Sequence, residues 1–347
     1  MDNRERLEKL GQIVSQKKIL ILTHNNPDPD AIAAGWALCY LIRRKFKSHA
    51  ELAYGGLIAR AENRAMVRLL NIDIKPLYSL NLRDFDVYGL VDTQPRAGNN
   101  SFPAHLKASI VFDHHGVRKA SQEADLADIR LNYGSSATIL TEYLQEAGLA
   151  IPKTMATALY LGLKTDTQNL GRHATNVDYQ AAIALYPKVQ LKILSQIEYP
   201  DLSRDYFMDF DRGLHEARVY GKAILCDLGD LANTDMVALM ADFFLRFTEV
   251  SSSFVIGTSD SSLIFSLRTK RPKQNAGQIA RRMVKGLGTA GGHESTGGGQ
   301  IPIQDISPEK ADKIRQSIQK RFLKYADQEN ARGERLLPDF PLRDEVT

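Results

Sequence analysis

The stretch Ile110-Val111-Phe112-Asp113-His114-His115-Gly116 decides how the rest of the chain is read. An apolar run delivers one carboxylate and two imidazoles at its end, and a buried strand has no structural need for Asp-His-His there. Taken alone, the triplet could be a polar strand cap. Three other segments end in the same way. His24-Asn25-Asn26-Pro27-Asp28-Pro29-Asp30 follows the apolar run Ile19–Leu22, Asp92 follows Gly89-Leu90-Val91, and Thr165-Asp166-Thr167 follows an apolar helical pattern. Each has a bland reading of its own: Asp28 and Asp30 as a turn and helix cap, Asp92 as a strand-end turn, Asp166 as the close of a helix. The four together are not explained that way. Segments that repeatedly present oxygen and imidazole donors after apolar runs point to a metal-dependent hydrolase.

Working outward, strand and helix patterns alternate. Apolar residues at helical spacing over Glu5 to Gln16 predict a helix, Ile19 to Thr23 a short buried strand, and Ala31 to Phe46 a helix packed on a sheet. Strands are expected at Ala50–Tyr54, Ile72–Leu77, Val87–Val91 and Ser109–Phe112, and helices at Ala61–Leu70, Ala137–Glu146 (capped by Ser135-Ser136) and from Pro152 through Leu163. The alternation predicts an α/β fold with an N-terminal doubly wound, mostly parallel sheet, in which ligands collect beyond the carboxyl ends of the strands. A second, smaller α/β domain follows. Its strands are expected at Lys222–Cys226, at Ser252–Gly257 and Leu263–Leu267 as a hairpin turning at Ser259-Asp260-Ser261, and at Ile301–Ile303. Helices are expected over Thr234–Phe247, Ala276–Val284 and Pro308–Tyr325. The domains are drawn as 1–188 (catalytic, metal-binding), 189–214 (helical linker), 215–326 (substrate-binding) and 327–347 (a tail with Pro338 and Pro341), with the active site in the cleft between the two domains.

The bulk numbers leave these readings open and close others. A chain of 347 residues is long enough for two domains, and 43% hydrophobic with 25% charged residues is a globular composition. The net charge of +4 permits a polyanionic substrate without demanding one. Cys39 and Cys226 lie far apart in apolar contexts, which reads as buried free thiols in a reducing compartment. No apolar run approaches the roughly 20 residues of a membrane span and the N-terminus has no secretory pattern, so a cytoplasmic protein without a membrane partner is expected.

His24, Asp28, Asp30, Asp92, His114 and Asp166 offer four carboxylates and two imidazoles. Four negative charges match two divalent cations, and mixed nitrogen and oxygen donors suit manganese, iron(II), cobalt or zinc, with magnesium tolerated. Two such ions about 3.5–4 Å apart can activate a bridging water for in-line attack on phosphorus. Asp92 and Asp166, each alone on its segment, suit the bridging positions.

These four segments, in this order, resemble the motifs of the DHH phosphoesterase superfamily, which includes RecJ exonucleases, family II inorganic pyrophosphatases and the nanoRNase/pAp phosphatases of the NrnA type. Motif order, internal spacing and length are most similar to the last group, over roughly residues 5 to 325. The resemblance implies a dinuclear manganese site, with magnesium or cobalt as substitutes. It puts one ion on His24, Asp28, Asp92 and Asp166 and the other on Asp30, Asp92, His114 and Asp166. It also implies His115 facing the scissile phosphate and Asp113 fixing a ligating imidazole. Two departures stand out: Pro29, without an N–H, between the aspartates, and Gln168-Asn169 where many relatives carry glycine.

In the second domain, Gly291-Gly292-His293 with Gly297-Gly298-Gly299 resembles the glycine-rich signature of the DHHA1 domain, and Arg268 and the helix start at Asn275 resemble its other motifs. Physically, such glycines can form an anion nest, and an arginine is a bidentate phosphate fork. Thr289-Ala290 stands where relatives show a longer glycine run. Lys270, Arg271, Lys273, Arg281, Arg282 and Lys285 add basic charge without interleaved aromatics, which favours short oligonucleotides or mononucleotides over long nucleic acid. The resemblance implies hydrolysis of very short RNA to mononucleotides, or of pAp to AMP. The alternatives are a cyclic or linear dinucleotide phosphodiesterase, a polyphosphate or pyrophosphate hydrolase, and a non-catalytic nucleotide sensor. A homodimer is compatible with all of these.

Overall fold

The computed structural model of the chain describes residues 1–58, 60–231, 233–259, 261–272, 274–292 and 295–337. His293, Lys273, Asp260 of the hairpin turn, and Pro338 and Pro341 of the tail therefore lie outside the described residues. The chain divides into two compact units, Met1–Pro200 and Asp201–Thr347.

In the first unit the strands are β1 (Lys18–Leu22), β2 (His49–Tyr54), β3 (Ile74–Pro76), β4 (Val87–Val91), β5 (Ile110–Asp113) and β6 (Leu126–Ile129). They form one sheet in the order β3-β2-β1-β4-β5-β6, and every pair is parallel. The chain builds outward from β1 to one edge and then from β4 to the other, so the order reverses between β1 and β4. Loops leaving neighbouring strands diverge at such a switch point and open a crevice beyond their carboxyl ends. β1 shows why the sheet is covered on both sides. Ile19 and Ile21 join the main core, whereas Leu20 and Leu22 join a second cluster with Leu90 and Val111.

The main core is supplied by helices α1 (Asn3–Val14), α2 (Pro29–Lys45), α3 (Ala61–Leu69), α4 (Ser136–Glu146), α5 (Lys153–Asp166), α6 (Asn176–Leu185) and α7 (Leu191–Glu198). The second cluster is covered instead by the 3₁₀ turns Leu77–Ser79 and Leu82–Asp84 together with Phe85 and Phe102. Sequence reading missed β6 and α6. β6 is four residues long and alternates buried and more exposed positions, too short to stand out from a loop. α6 is announced only by a capping box at its start, Thr175 with Asp178.

The second unit comprises α8 (Arg204–Glu216), β7 (Arg218–Tyr220), β8 (Ala223–Asp230), α9 (Asp235–Leu245), β9 (Ser252–Ser259), β10 (Ser262–Thr269), α10 (Ala276–Met283), β11 (Thr289–Gly292), β12 (Thr296–Pro302), α11 (Pro308–Tyr325) and β13 (Glu334–Arg335). Its mixed sheet runs β11-β12-β10-β9-β8-β7-β13, antiparallel except for β8 beside β9. The stretch read as a helical linker is α7 in the first unit and α8 in the second. Part of the stretch read as a tail is ordered as well: β13 pairs with β7, and Leu336 packs on the cluster containing Met240 and Phe244. Both cysteines are free and buried. Among the described residues no helix is long and apolar enough to cross a membrane.

Candidate metal centre

The loop after β1 starts the site. Asp28 caps α2, accepting the Ala31 N–H at 3.0 Å, and Pro29 is the first residue of that helix. The lost donor expected at Pro29 therefore costs nothing, because the first N–H groups of a helix have no intrahelical partner. The capping role weighed for Asp28 is real, and it coexists with a second one. The other Asp28 oxygen lies 3.7 Å from His24 Nε2. The cap thus fixes a carboxylate that still faces an imidazole.

Asp30, fully buried, is held from across the core. Its two oxygens accept the N–H groups of Ser136 at 2.7 Å and Ala137 at 2.8 Å, the start of α4. A helix N-terminus stabilises a carboxylate there. Asp166 ends α5 and reaches the same place because Gly162, one turn earlier, lets α5 close on α2. A Cβ at Gly162 would lie 2.9 Å from Asp30 Cα and 3.1 Å from the Pro29 carbonyl oxygen. Beyond Asp166, Gln168, Asn169 and Leu170 all adopt positive φ (48°, 59° and 64°). The missing glycine is thus answered by three residues in left-handed conformation, each at a cost on the order of 1–3 kcal/mol.

Asp92, 2% exposed and itself at φ 57°, stands at the centre. Its Oδ2 is 3.5 Å from His24 Nε2, while its Oδ1 is 3.4 Å from His114 Nε2 and accepts the Ser136 hydroxyl at 3.0 Å. Both imidazoles are aimed by main-chain carbonyls. His24 Nδ1 lies 2.9 Å from Asn25 O and His114 Nδ1 3.2 Å from Tyr133 O. With Nδ1–H spent on a carbonyl, Nε2 is left as the atom that could ligate a cation. His114 Nε2 is buried 3.1 Å from Asp166 Oδ2 but makes no hydrogen bond among the described residues. An orphaned ring nitrogen facing carboxylates is what a cation would satisfy.

Two donor groups result, each with its ligand atoms within 4.8 Å of one another: His24, Asp28 and Asp92, and Asp30, His114 and Asp166. Asp166, which the resemblance puts on both ions, falls in the second of these groups alone. A third group joins Asp92, His114 and His115.

The electrostatics record the crowding. Burial would lower the pKa of His24, but Asp28 and Asp92 outweigh it and hold the imidazole well above its ordinary value. Burial likewise opposes, and Asp166 and Asp92 overcome, in holding His114 well above. Burial, then Asp166 and Asp92, push Asp30 well up. Burial and Asp28 raise Asp166 to about 6. Burial would raise Asp92, yet the close imidazoles His114 and His24 hold it well below the carboxylate range. Carboxylates and imidazoles crowded in this way fit divalent cations.

Asp113 departs from its expected role. It does not orient the His114 ring, which Tyr133 O does. It accepts His115 Nδ1–H at 2.9 Å and the N–H groups of His114 at 2.8 Å and His115 at 3.2 Å. Burial would lower the His115 pKa, but the hydrogen bond to Asp113 and the charge of Asp92 hold it above its ordinary value. Sequence reading took Ser136 only for part of a helix cap, and it missed Gly162 and Gln94. Their only signal is adjacency to a motif residue or to a helix start.

In the second unit Arg268 is 6% exposed and already engaged. It pairs with Asp242 and donates to Ser266 Oγ at 2.6 Å and Leu267 O at 3.1 Å. Gly297, Gly298 and Gly299 lie in β12, laddered against Leu267, Ser266 and Phe265, and Gly291 and Gly292 pair with Gly298 and Gly297. The expected inward-turned nest is not what these residues form. They permit close packing: a Cβ at Gly277 would meet Gly292 O at 2.2 Å, and one at Gly297 would meet Ala276 O at 2.5 Å. Arg271 pairs with Asp327 at 2.6 Å, whereas Lys270, Arg281, Arg282 and Lys285 are exposed.

The family described as "DHH family, N-terminal domain" matches residues 18–163. An uncharacterized protein of Methanocaldococcus jannaschii is 33% identical over 307 residues, covering 87% of this chain and 62% of that protein. A probable manganese-dependent inorganic pyrophosphatase of Streptococcus equi subsp. zooepidemicus is 27% identical over 198 residues, covering 51% of this chain and 57% of that protein. The chain thus spans less than two thirds of the length of either relative. Among solved structures, an exopolyphosphatase-related protein of Bacteroides fragilis shares the fold, with a TM-score of 0.71 at 16% identity over 92% of this chain and 97% of that one.

Proposed function

We propose, from the match of residues 18–163 to the DHH-family N-terminal domain, that the protein is a phosphoesterase working with two divalent cations, manganese above others. Its proposed substrates are very short oligoribonucleotides, cleaved to mononucleotides, and pAp, cleaved to AMP. The observation that carries the reading is Asp92, a buried carboxylate with one oxygen turned to His24 and the other to His114. His24, Asp28 and Asp92 would hold one cation, and Asp30, His114 and Asp166 the other, with Asp92 common to both. When bound, the cations would supply Lewis-acid polarisation of a phosphoryl oxygen and activation of a water at neutral pH.

The remaining work falls to the chain. Asp113 anchors His115 through Nδ1, so as an imidazolium the ring would donate Nε2–H to the charge that grows on the phosphoryl oxygens. The strain at Asp92 and the α4 N-terminus beneath Asp30 pre-set the carboxylates, so little reorganisation is needed during the reaction. In the second unit Arg268 is assigned to a substrate phosphate, for which it would exchange Asp242.

A second reading, pyrophosphate or polyphosphate hydrolysis, is favoured by the streptococcal relative named as a manganese-dependent inorganic pyrophosphatase. One panel separates the two: pAp, a dinucleotide RNA, a long RNA and pyrophosphate with Mn²⁺, and His114→Ala as control. Cleavage of pAp and the dinucleotide, lost in the variant, supports the first reading. Cleavage of pyrophosphate alone moves the assignment to the second. No cleavage of any of them with two ions bound removes both.

A further inference from the structure

We propose that Gln94 is a positioning residue for His115, acting through Asp113; the proposal rests on the phosphoesterase reading above. Gln94 sits two residues beyond Asp92 at the end of β4 and is 2% exposed. Every capacity of its amide is used. Nε2 donates to Asp113 Oδ2 at 2.7 Å and to Gly116 O at 3.1 Å, while Oε1 accepts the Arg118 N–H at 2.6 Å and the Ser121 hydroxyl at 2.8 Å. Two acceptors on one side and two donors on the other force the orientation of the amide. Its own backbone is held in turn, because Asn100 Nδ2 donates to Gln94 O at 2.9 Å.

The two halves of this clamp do different things. The acceptor half ties residues 118 and 121 to β4, which closes the loop after the two histidines. The donor half reaches the carboxylate that aims His115. Asp113 Oδ1 is taken by the N–H groups of His114 and His115 and by His115 Nδ1–H. Gln94 holds the other oxygen, so it fixes the plane of the carboxylate and with it the direction of the His115 ring. A brace for the loop alone would need the acceptor half and the Gly116 bond, not the bond to Asp113.

Substitutions separate the halves. Gln94→Met is close in volume and loses all four bonds. Gln94→Glu keeps the acceptor half and sets a carboxylate oxygen against Asp113. Ser121→Ala removes one bond of the acceptor half. Five quantities would be measured: kcat and KM with Mn²⁺ on whichever of the four substrates the wild type cleaves, Mn²⁺ stoichiometry by calorimetry, thermal midpoint, and the His115 Nδ1–H resonance. The last is recorded in Mg²⁺-loaded, ¹⁵N-histidine-labelled protein and assigned with His115→Gln. Gln94→Met should lower kcat about 10–100-fold with KM and ion stoichiometry held, and should shift or broaden that resonance. Gln94→Glu should lose at least as much, Ser121→Ala should stay within about twofold of wild type, and adding Gln94→Met to Asp113→Asn should cost no further activity. A folded Gln94→Met protein with unchanged kcat and resonance overturns the proposal, and so does a Ser121→Ala loss as large as that of Gln94→Met. If Gln94→Met does not fold, Gln94→Glu against Ser121→Ala decides by the same signs. A wild type that cleaves nothing defeats the phosphoesterase reading instead, and the resonance still tests the link from Gln94 to His115.

Discussion

The two donor groups at the carboxyl edge of the parallel sheet are built in different ways. His24 and Asp28 lie on one short loop and Asp28 is locked by the helix it caps, so two members of the first group need little beyond their own segment. Asp30, His114 and Asp166 come from three distant segments and depend on the α4 N-terminus, the Tyr133 carbonyl and the absence of a side chain at Gly162. The first group is partly open, with the Asp28 side chain 39% exposed, whereas Asp30 is sealed. A local group tolerates damage to the core, and an assembled one records it. Asp92 joins them, so its loss is where the comparison breaks down most completely. Asp92→Asn should reduce kcat on the order of 10³-fold and weaken both cations together. Calorimetry with Mn²⁺ checks this, and loss of only one ion would show that the other group does not depend on Asp92.

Gly162→Ala sharpens the contrast. The new methyl meets Asp30 Cα and the Pro29 carbonyl, so α5 must move away from α2 and take Asp166 with it. The expected outcome is destabilisation by about 1–3 kcal/mol, with the second cation weakened about 10–100-fold and the first retained. Titration of Mn²⁺ into the variant should show one strong site where the wild type shows two. An equal loss at both would mean the groups do not differ in the way their construction implies.

What could be read beforehand follows the same division. The donors themselves were legible because each ends an apolar run, and a charge in that position has few structural uses. The helix Pro308–Tyr325 was legible to its last residue from its period alone. What holds the donors was not. Asp30 is anchored by backbone N–H groups of residues 136 and 137, and backbone groups leave no mark in a sequence. His114 is aimed by a carbonyl rather than by the neighbouring Asp113, for the same reason. The glycines of β11 and β12 could mean a nest or a close approach, and only their ladder pairing and the contact with α10 distinguish the two.

Proton competition is the next test of the comparison. The folded pKa values of His24 and His114 are raised, with burial opposing and the carboxylates prevailing, so their stabilisation is complete below the ordinary histidine value and is lost as pH rises through the folded values. Asp30 and Asp166 are raised too, by burial first, and their contribution is lost as pH rises from the ordinary carboxylate range through about 6 in the case of Asp166. All four act in one direction. The thermal midpoint of metal-free protein should fall by a few degrees between about pH 5 and about pH 9. With saturating Mn²⁺ the trend should reverse, because cations replace the protons and bind more tightly as pH rises. A metal-free midpoint that climbs over this range would mean that the cluster does not hold protons in place of cations.

The smallest effect is expected at Pro29, the residue between Asp28 and Asp30. At the first position of α2 it lacks an N–H that would have no partner in the helix, and its ring favours the backbone angle the helix needs. Pro29→Ala therefore removes no contact to the site. Its cost should come through the unfolded chain, about 0.4–1 kcal/mol, with both Mn²⁺ affinities and kcat unchanged. Chemical denaturation and calorimetry on the same preparation test both halves of that statement. A selective loss of the first cation would show that the loop after β1 is not self-supporting, and that its geometry depends on the proline rather than on the Asp28 cap.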